Sequence, residues 1–441
     1  IINKFQFKNK ENKEVWETFN VISQEPSECL GAYVISMTSS VSDILSVSFL
    51  QKEAKIINKL RVVPLFETLE DLINAKSIMG NLFSHKWYRN LIQNKQEVMI
   101  GYSDSSKDAG KICASWHQYK AQEEIVKLAK KHKIEVVFFH GRGGSAGRGG
   151  GPIQATLRSL PPNSVNGKIR ITDQGEVIQQ KYGYEPLAKY NLCSYIGAVS
   201  EASLNPPPQP KKSWRTLIEK MSEISKSSYR KNINHNSDFI KYFKTVTQHV
   251  SLGKLSIGSR PSKRKNVDNI KSLRAIPWIF AWTQIRLMLP AWLGSAEALR
   301  YANIKDFRKI LYDMERNWPF FNSMLDILDM VISKVDTDIS KIYEEFLADE
   351  KLKRVGKRLR FQFEVIKKLN KEITPKEIIK ARKQFRTSVL IRNIYAEVLN
   401  IIQPIVIKKI KTNKNNLNKK YLNDALLTSI AGISAAMKNT G

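Results

Sequence analysis

The stretch "EVVFFHGRGGSAGRGGGP", residues 135–152, decides the fold. A short apolar run, too brief for a helix, passes directly into a glycine-rich segment with His140 at the junction and Arg142 and Arg148 beyond it. Such a run bounded by glycine reads as a buried strand, and the chain around it repeats the pattern. "GAYVISM" (31–37), "RVVPLFE" (61–67), "EVMIGYSD" (97–104) and "GKIRITDQGE" (167–176) are of the same kind. Between them lie amphipathic helical patterns such as "TLEDLINAKSIMGNLF" (68–83) and "AQEEIVKLAKKH" (121–132). Strand followed by helix, repeated, predicts a parallel sheet. Most of the runs finish in polar or charged residues, which points to a barrel carrying its chemistry at the C-terminal strand ends. Five runs do not close an eight-stranded barrel. The expected fold class is therefore α/β with a large all-α portion: a partial (β/α)8 TIM-type barrel made of its later strands, plus a C-terminal helical bundle. The proline-rich break "NPPPQPKK" (205–212) sets the expected boundary between residues 1–204, carrying strand ends and glycine loop, and the helical region 205–441.

Composition narrows the function classes. At 441 residues with 42% hydrophobic and 9% aromatic residues, the chain has ample material for a core. The net charge of +31 ordinarily raises nucleic-acid binding. Here the basic residues, mostly Lys, are scattered along the chain among Ile and Asn, as on solvated faces, which argues against a nucleic-acid surface. The clusters at 351–360 and 407–420 are the places where a basic scaffold would show itself. Cys29, Cys113 and Cys193 are far apart and lack metal or disulfide spacing, so a reducing, cytoplasmic setting is expected. The most apolar long segment, residues 275–294, holds Gln284, Arg286 and two prolines; it reads as a buried helix and not a membrane span. The chain opens on Ile, the expectation being a fragment or a processed product.

Glycines free backbone N–H groups to approach an anion, and Arg142 and Arg148 offer planar forks for phosphate or carboxylate oxygens. No GK[ST] follows, so this is not a Walker loop, and Arg148 and Pro152 break the dinucleotide fingerprint. Glu67 ends one strand run and Asp104 the next, one βα unit later. An isolated strand-end carboxylate commonly serves as a helix cap. Two in adjacent units, with Lys107 three residues beyond Asp104, favour a hard divalent cation, Mg²⁺ or Mn²⁺. Glu70 and Asp71 suit the first turn of the following helix. Arg260 lies in a "GSRP" turn, and Arg274 directly precedes the apolar segment, either snorkelling at its edge or aimed into the site. This inventory fits an anionic, multiply charged substrate such as a phosphorylated carboxylic acid.

At these residues the sequence strongly resembles phosphoenolpyruvate carboxylase. The matching segments are "VVPLFETLEDL", "VMIGYSDSSKDAG", "FHGRGGSAGRGGGP", "RITDQGEVI", "LGKLSIGSRPSKR", "SLRAIPWIFAWTQIRLMLPAWLG" and "TSIAGISAAMKNTG", in family order over nearly the whole chain. The resemblance implies a cytoplasmic, typically homotetrameric lyase that joins bicarbonate to phosphoenolpyruvate, yielding oxaloacetate and phosphate with Mg²⁺ or Mn²⁺. In the family, bicarbonate takes the phosphoryl group to give carboxyphosphate and the enolate of pyruvate; the CO₂ released is then attacked by the enolate. Carried over by motif, Glu67 and Asp104 resemble the metal ligands and Arg142 and Arg274 the phosphate binders. The same motifs imply that Arg260 stabilises carboxyphosphate, Lys107 places bicarbonate, His140 assists substrate binding, and Arg148 belongs to the mobile glycine loop. The family is also feedback-inhibited by aspartate or malate, and Lys334, Arg392 and Asn439 resemble that ligand set, with Arg148 shared. An inhibitor drawing Arg148 away disables the loop without touching the metal.

The departures are local and one is large. Asp173 stands where the family often has Glu, and "GSAGRGG" differs mildly from the usual loop. The family's N-terminal half, with its histidine-bearing segment, has no counterpart in these residues. The chain resembles the C-terminal half, and it is expected to be inactive without the other. The competing expectations are a non-catalytic remnant that binds aspartate or malate, and a basic scaffold for nucleic acid.

Overall fold

The computed structural model describes residues 9–141, 153–173, 175–233, 237–247, 273–374, 383–412 and 416–437. It is mostly helical, with one curled sheet of five parallel strands. The strands are β1 (Ala32–Ile35), β2 (Arg61–Phe66), β3 (Lys95–Gly101), β4 (Glu135–Gly141) and β5 (Arg170–Ile171), and they pair in chain order. All four ladders are parallel. The five expected runs thus all form strands, with shifts at their ends. β5 is only two residues long, and β3 stops at Gly101, so Asp104 falls in the helix Ser103–Ala109 instead of at a strand tip.

The chain divides into two compact units. The first contains Ile1–Gly101, His117–Gly141 and Pro161–Ile171, hence the whole sheet. Side chains alternate along each strand, and the register aligns Phe66, Ile100, His140 and Ile171 across it. Val63, Phe66, Val98, Ile100 and Phe138 are almost wholly buried. The helix Leu69–Ser84 buries Leu72, Ala75, Met79, Leu82 and Phe83, one apolar stripe at helical spacing. Its start is fixed by a reciprocal cap: Thr68 Oγ1 accepts from the Asp71 N–H, and Asp71 Oδ2 accepts from the Thr68 N–H. Asp71 therefore serves the helix, as its position suggested. On the other face Glu97 is buried, yet paired: Arg170 Nη1 lies 2.8 Å and Arg61 Nε 3.5 Å from its carboxylate. Arg170 also stacks 4.3 Å over the Phe139 ring.

The second unit contains Tyr102–Trp116, Arg142–Leu160 and Thr172–Gly441. The proline-rich segment 205–212 lies inside it and leads into the helix Lys212–Ile233. Aromatic side chains dominate its core. Trp282 is fully buried and lies 5.4 to 6.3 Å, centroid to centroid, from Trp278, Phe243, Phe239 and Tyr242. A second cluster joins Trp116, Trp214, Trp318 and Phe320. The apolar segment 275–294 forms the helix Ala275–Gln284 and a short turn, both buried. A polar layer crosses this core: Gln403 Nε2 donates to Gln284 Oε1, Gln284 Nε2 to Ser434 Oγ, and Asn400 Nδ2 to the Gln284 carbonyl. It fastens the helices Lys383–Thr412 and Asn416–Ala436 to the Ala275–Gln284 helix.

Residues Arg386–Thr412 are long and apolar enough to cross a membrane by length and composition. One face of this helix carries the buried, hydrogen-bonded Asn400 and Gln403; another exposes Ile391, Ile394, Tyr395 and Val398. In the Lys-rich segment 351–360, Lys351 pairs with Asp238, Lys353 with Glu350 and Arg360 with Glu344. The two lysine pairs are what a solvated face presents, whereas Arg360 meets a buried carboxylate.

Candidate active site

In the first unit the site begins at the tip of β2. Glu67 follows the last residue of the strand and is 3% exposed. Its Oε1 accepts from the Met37 N–H at 3.1 Å, in the loop after β1, where Met37 adopts φ 55°. Its own N–H is taken by Asp71 Oδ2 at 3.2 Å. The cap therefore holds the backbone from one side and the β1 loop holds the carboxylate from the other. Beside it, Gly101 at the tip of β3 approaches so closely that an added Cβ would lie 2.6 Å from the Glu67 Cβ and 2.8 Å from its Cα. Only glycine fits. Gly101→Ala is accordingly expected to displace Glu67 and lower activity at least about tenfold with a modest loss of stability, of order 1–3 kcal/mol, the usual result of overpacking. Steady-state rates read beside a denaturant midpoint check it.

His140 is buried in β4, 1% exposed, with its ring 6.4 Å from that of Phe138. It pairs in register with Ile100 and Ile171.

The second unit carries the other described residues. Asp104 lies in the first turn of the helix Ser103–Ala109 and Lys107 in its last, three residues apart and so on one side. Within that helix Ser106 Oγ donates to the Tyr102 carbonyl at 2.8 Å. It ends at Gly110, whose φ of 77° and contact with Tyr229 leave no room for another residue. Asp108 anchors it through Arg230 at 2.9 Å. The helix Ala275–Gln284, for which Arg274 is the N-cap residue, packs against it. The fold thus brings the helix of Asp104 and Lys107 beside the helix that Arg274 introduces. Arg142, Arg148, Arg260 and Asn439 lie outside the described residues.

Among the described residues there is no cluster of three or more His, Cys, Asp and Glu side chains fit for a metal. A pair of carboxylates is instead the donor set that suits Mg²⁺, which keeps several waters and is commonly bound by one or two carboxylates plus substrate oxygens.

These features accompany a sequence match along the entire chain. The family model described as phosphoenolpyruvate carboxylase matches residues 1–441. The chain belongs to the phosphoenolpyruvate carboxylase family. Among its relatives, the phosphoenolpyruvate carboxylase of Marinomonas sp. (strain MWYL1) is 46% identical over 432 residues, 98% of this chain and 49% of the relative. That of Acinetobacter baylyi is 46% identical over 433 residues, 97% of this chain and 48% of the relative. Phosphoenolpyruvate carboxylase 3 of Arabidopsis thaliana is 43% identical over 465 residues, 98% and 48%. The chain spans about half the length of the curated relatives it matches.

Lys334 and Arg392, the residues likened to the family's inhibitor ligands, sit in the second unit. Lys334 is 4% exposed and its Nζ donates to the Met437 carbonyl at 2.8 Å. Burial lowers the pKa of the half-buried Arg392. Sequence reasoning missed Arg286, which is fully buried between them. Its Nε donates to the Lys334 carbonyl at 3.1 Å and its Nη2 to Asn393 Oδ1 at 3.0 Å. Burial lowers its pKa too, against the fields of Asp336 and Glu397. The signal was present: a lone arginine in the most apolar stretch of the chain needs a reason to be there.

Proposed function

We propose that the whole protein carboxylates phosphoenolpyruvate with bicarbonate, releasing oxaloacetate and phosphate, and that this chain supplies the greater part of the anion-handling machinery. The observation that carries the reading is the sterically locked, buried Glu67 at the β2 tip, in a chain matched from end to end by the family model. The sheet is read as the later strands of a (β/α)8 barrel, with the site at its C-terminal strand ends.

In this reading Glu67 and Asp104 hold Mg²⁺ or Mn²⁺, which when bound offsets the negative charge developing on the substrate oxygens. Arg274, with Arg142, grips the phosphoryl group that moves from phosphoenolpyruvate to bicarbonate. Lys107 places the bicarbonate oxygen for that transfer, and Arg260 stabilises the carboxyphosphate that results. His140 assists substrate binding. Arg148 closes the glycine loop over the substrate and shields the intermediate from water. Lys334, Arg392 and Asn439 bind aspartate or malate and draw on Arg148, so that inhibitor and closed loop compete. Magnesium dependence, feedback control, a role in replenishing the tricarboxylic acid cycle, a homotetramer and a cytoplasmic location complete the proposal. The exposed thiols of Cys29 and Cys193 suit a reducing compartment.

The test is oxaloacetate formation, followed through its reduction by a coupled dehydrogenase. The full-length protein is expected to turn over phosphoenolpyruvate only with bicarbonate and Mg²⁺ or Mn²⁺ present. These 441 residues expressed alone are expected to show less than about a hundredth of that rate, because effects of groups that act together are strongly non-additive. Comparable turnover by the isolated chain overturns the division of labour; none by the full-length protein overturns the function.

A further inference from the structure

We propose that Arg230 is a positioning residue for the carboxylation: acting through Asp108, it fixes the orientation of the helix Ser103–Ala109 and so the places of Asp104 and Lys107. This rests on the roles given above to those two residues and adds one that acts through them. The helix is seven residues long, too short to hold its shape unaided, so the directions of its side chains are set by what it packs against. The helices Lys212–Ile233 and Ala275–Gln284 are its neighbours, and the first of them grips its end.

The grip has two points on one residue. Arg230, in the last turn of Lys212–Ile233, donates from Nε to the Asp108 carbonyl at 3.2 Å and from Nη2 to Asp108 Oδ1 at 2.9 Å. Carbonyls in the last turn of a helix lack partners inside it, and a cation there also suits the helix dipole. A planar fork that holds backbone and side chain together fixes rotation about the helix axis as well as position. Asp108 follows Lys107 directly and lies about one helical turn beyond Asp104, so a rotation of Asp108 carries both with it. Arg230 is itself held, because its neighbour Tyr229 is buried against Gly110, where an added Cβ would stand 3.1 Å from the ring. The pair is nonetheless partly exposed, Arg230 at 38% and Asp108 at 40% of their side chains. Exposed ion pairs contribute little to global stability, so the use of this one lies in placement.

Steady-state kinetics of the full-length protein, varied in bicarbonate and in Mn²⁺ and read beside urea unfolding, test the assignment. Arg230→Gln is expected to lower kcat/KM for bicarbonate roughly ten- to a hundredfold, the loss that goes with displacing a reacting group by about 1 Å. The Mn²⁺ concentration for half-maximal rate rises with it, while the unfolding midpoint stays where surface variants leave it. Arg230→Lys keeps the charge but not the two-point fork, and is expected to recover part of the loss. Asp108→Asn, nearly isosteric, removes the charged contact and leaves the carbonyl one; it is expected to lower kcat/KM for bicarbonate about tenfold, which keeps the test open if Arg230→Gln does not fold. Unchanged bicarbonate and Mn²⁺ constants in either folded variant, with or without a lowered midpoint, overturn the positioning role. Lys107→Ala and Asp104→Asn separate that result from a failure of the reading beneath it. If these two leave both constants unchanged as well, the roles of Asp104 and Lys107 fall; if they alone change them, only the part given to Arg230 falls.

Discussion

Glu67→Gln in the full-length protein is expected to lower oxaloacetate formation at least about a hundredfold and to raise the Mg²⁺ or Mn²⁺ concentration needed for half-maximal rate. Glutamine is the informative choice. Its amide oxygen can still accept from the Met37 N–H, as Glu67 Oε1 does, so the β1 loop keeps its tether while the charge is lost. Asp104→Asn should act in the same direction. If both carboxylates serve one ion, the double variant will be little worse than the poorer single variant, since removing the second ligand of a lost ion costs little more. Mn²⁺ binding read by electron paramagnetic resonance separates loss of metal from loss of substrate. Full activity in Glu67→Gln with unaltered metal dependence would remove the metal reading at its foundation.

The largest stability effect is expected at Trp282. Trp282→Ala empties a position enclosed by Trp278, Phe239, Tyr242 and Phe243 and is expected to cost about 3–5 kcal/mol, because four packed rings cannot collapse into an indole-sized void. Urea unfolding followed by circular dichroism gives the midpoint shift. Trp87→Ala is the control: that ring is 52% exposed, and its loss should change stability by no more than about 0.5 kcal/mol. Equal shifts for the two would show that the aromatic cluster does not hold the second unit together.

The strands were legible because each apolar run is short, is bounded by turn residues and sits between helical patterns. What escaped the reading was local chemistry competing with periodicity. Asp104 was expected at the end of a strand, but β3 stops at Gly101 and the helix Ser103–Ala109 starts before it. Asp349 accepts from the Leu352 N–H and starts the helix Glu350–Ile373, a boundary that periodicity alone does not mark. In the candidate site, Glu67 was visible as a polar residue closing an apolar run. The reason Gly101 must be glycine was not, since it depends on the register between two strands. The bonds of Arg286 were hidden for the same cause: they join residues that only the folded chain makes neighbours.

The sheet runs β1 to β5 in the order in which the chain is written, every ladder parallel. During synthesis each new strand therefore emerges to find its neighbour already translated, separated from it by a short stretch of chain. Nothing made early has to wait, with hydrogen-bonding groups bare, for a partner encoded hundreds of codons later. The ribosome can lay this sheet down like planking, each board nailed to the last.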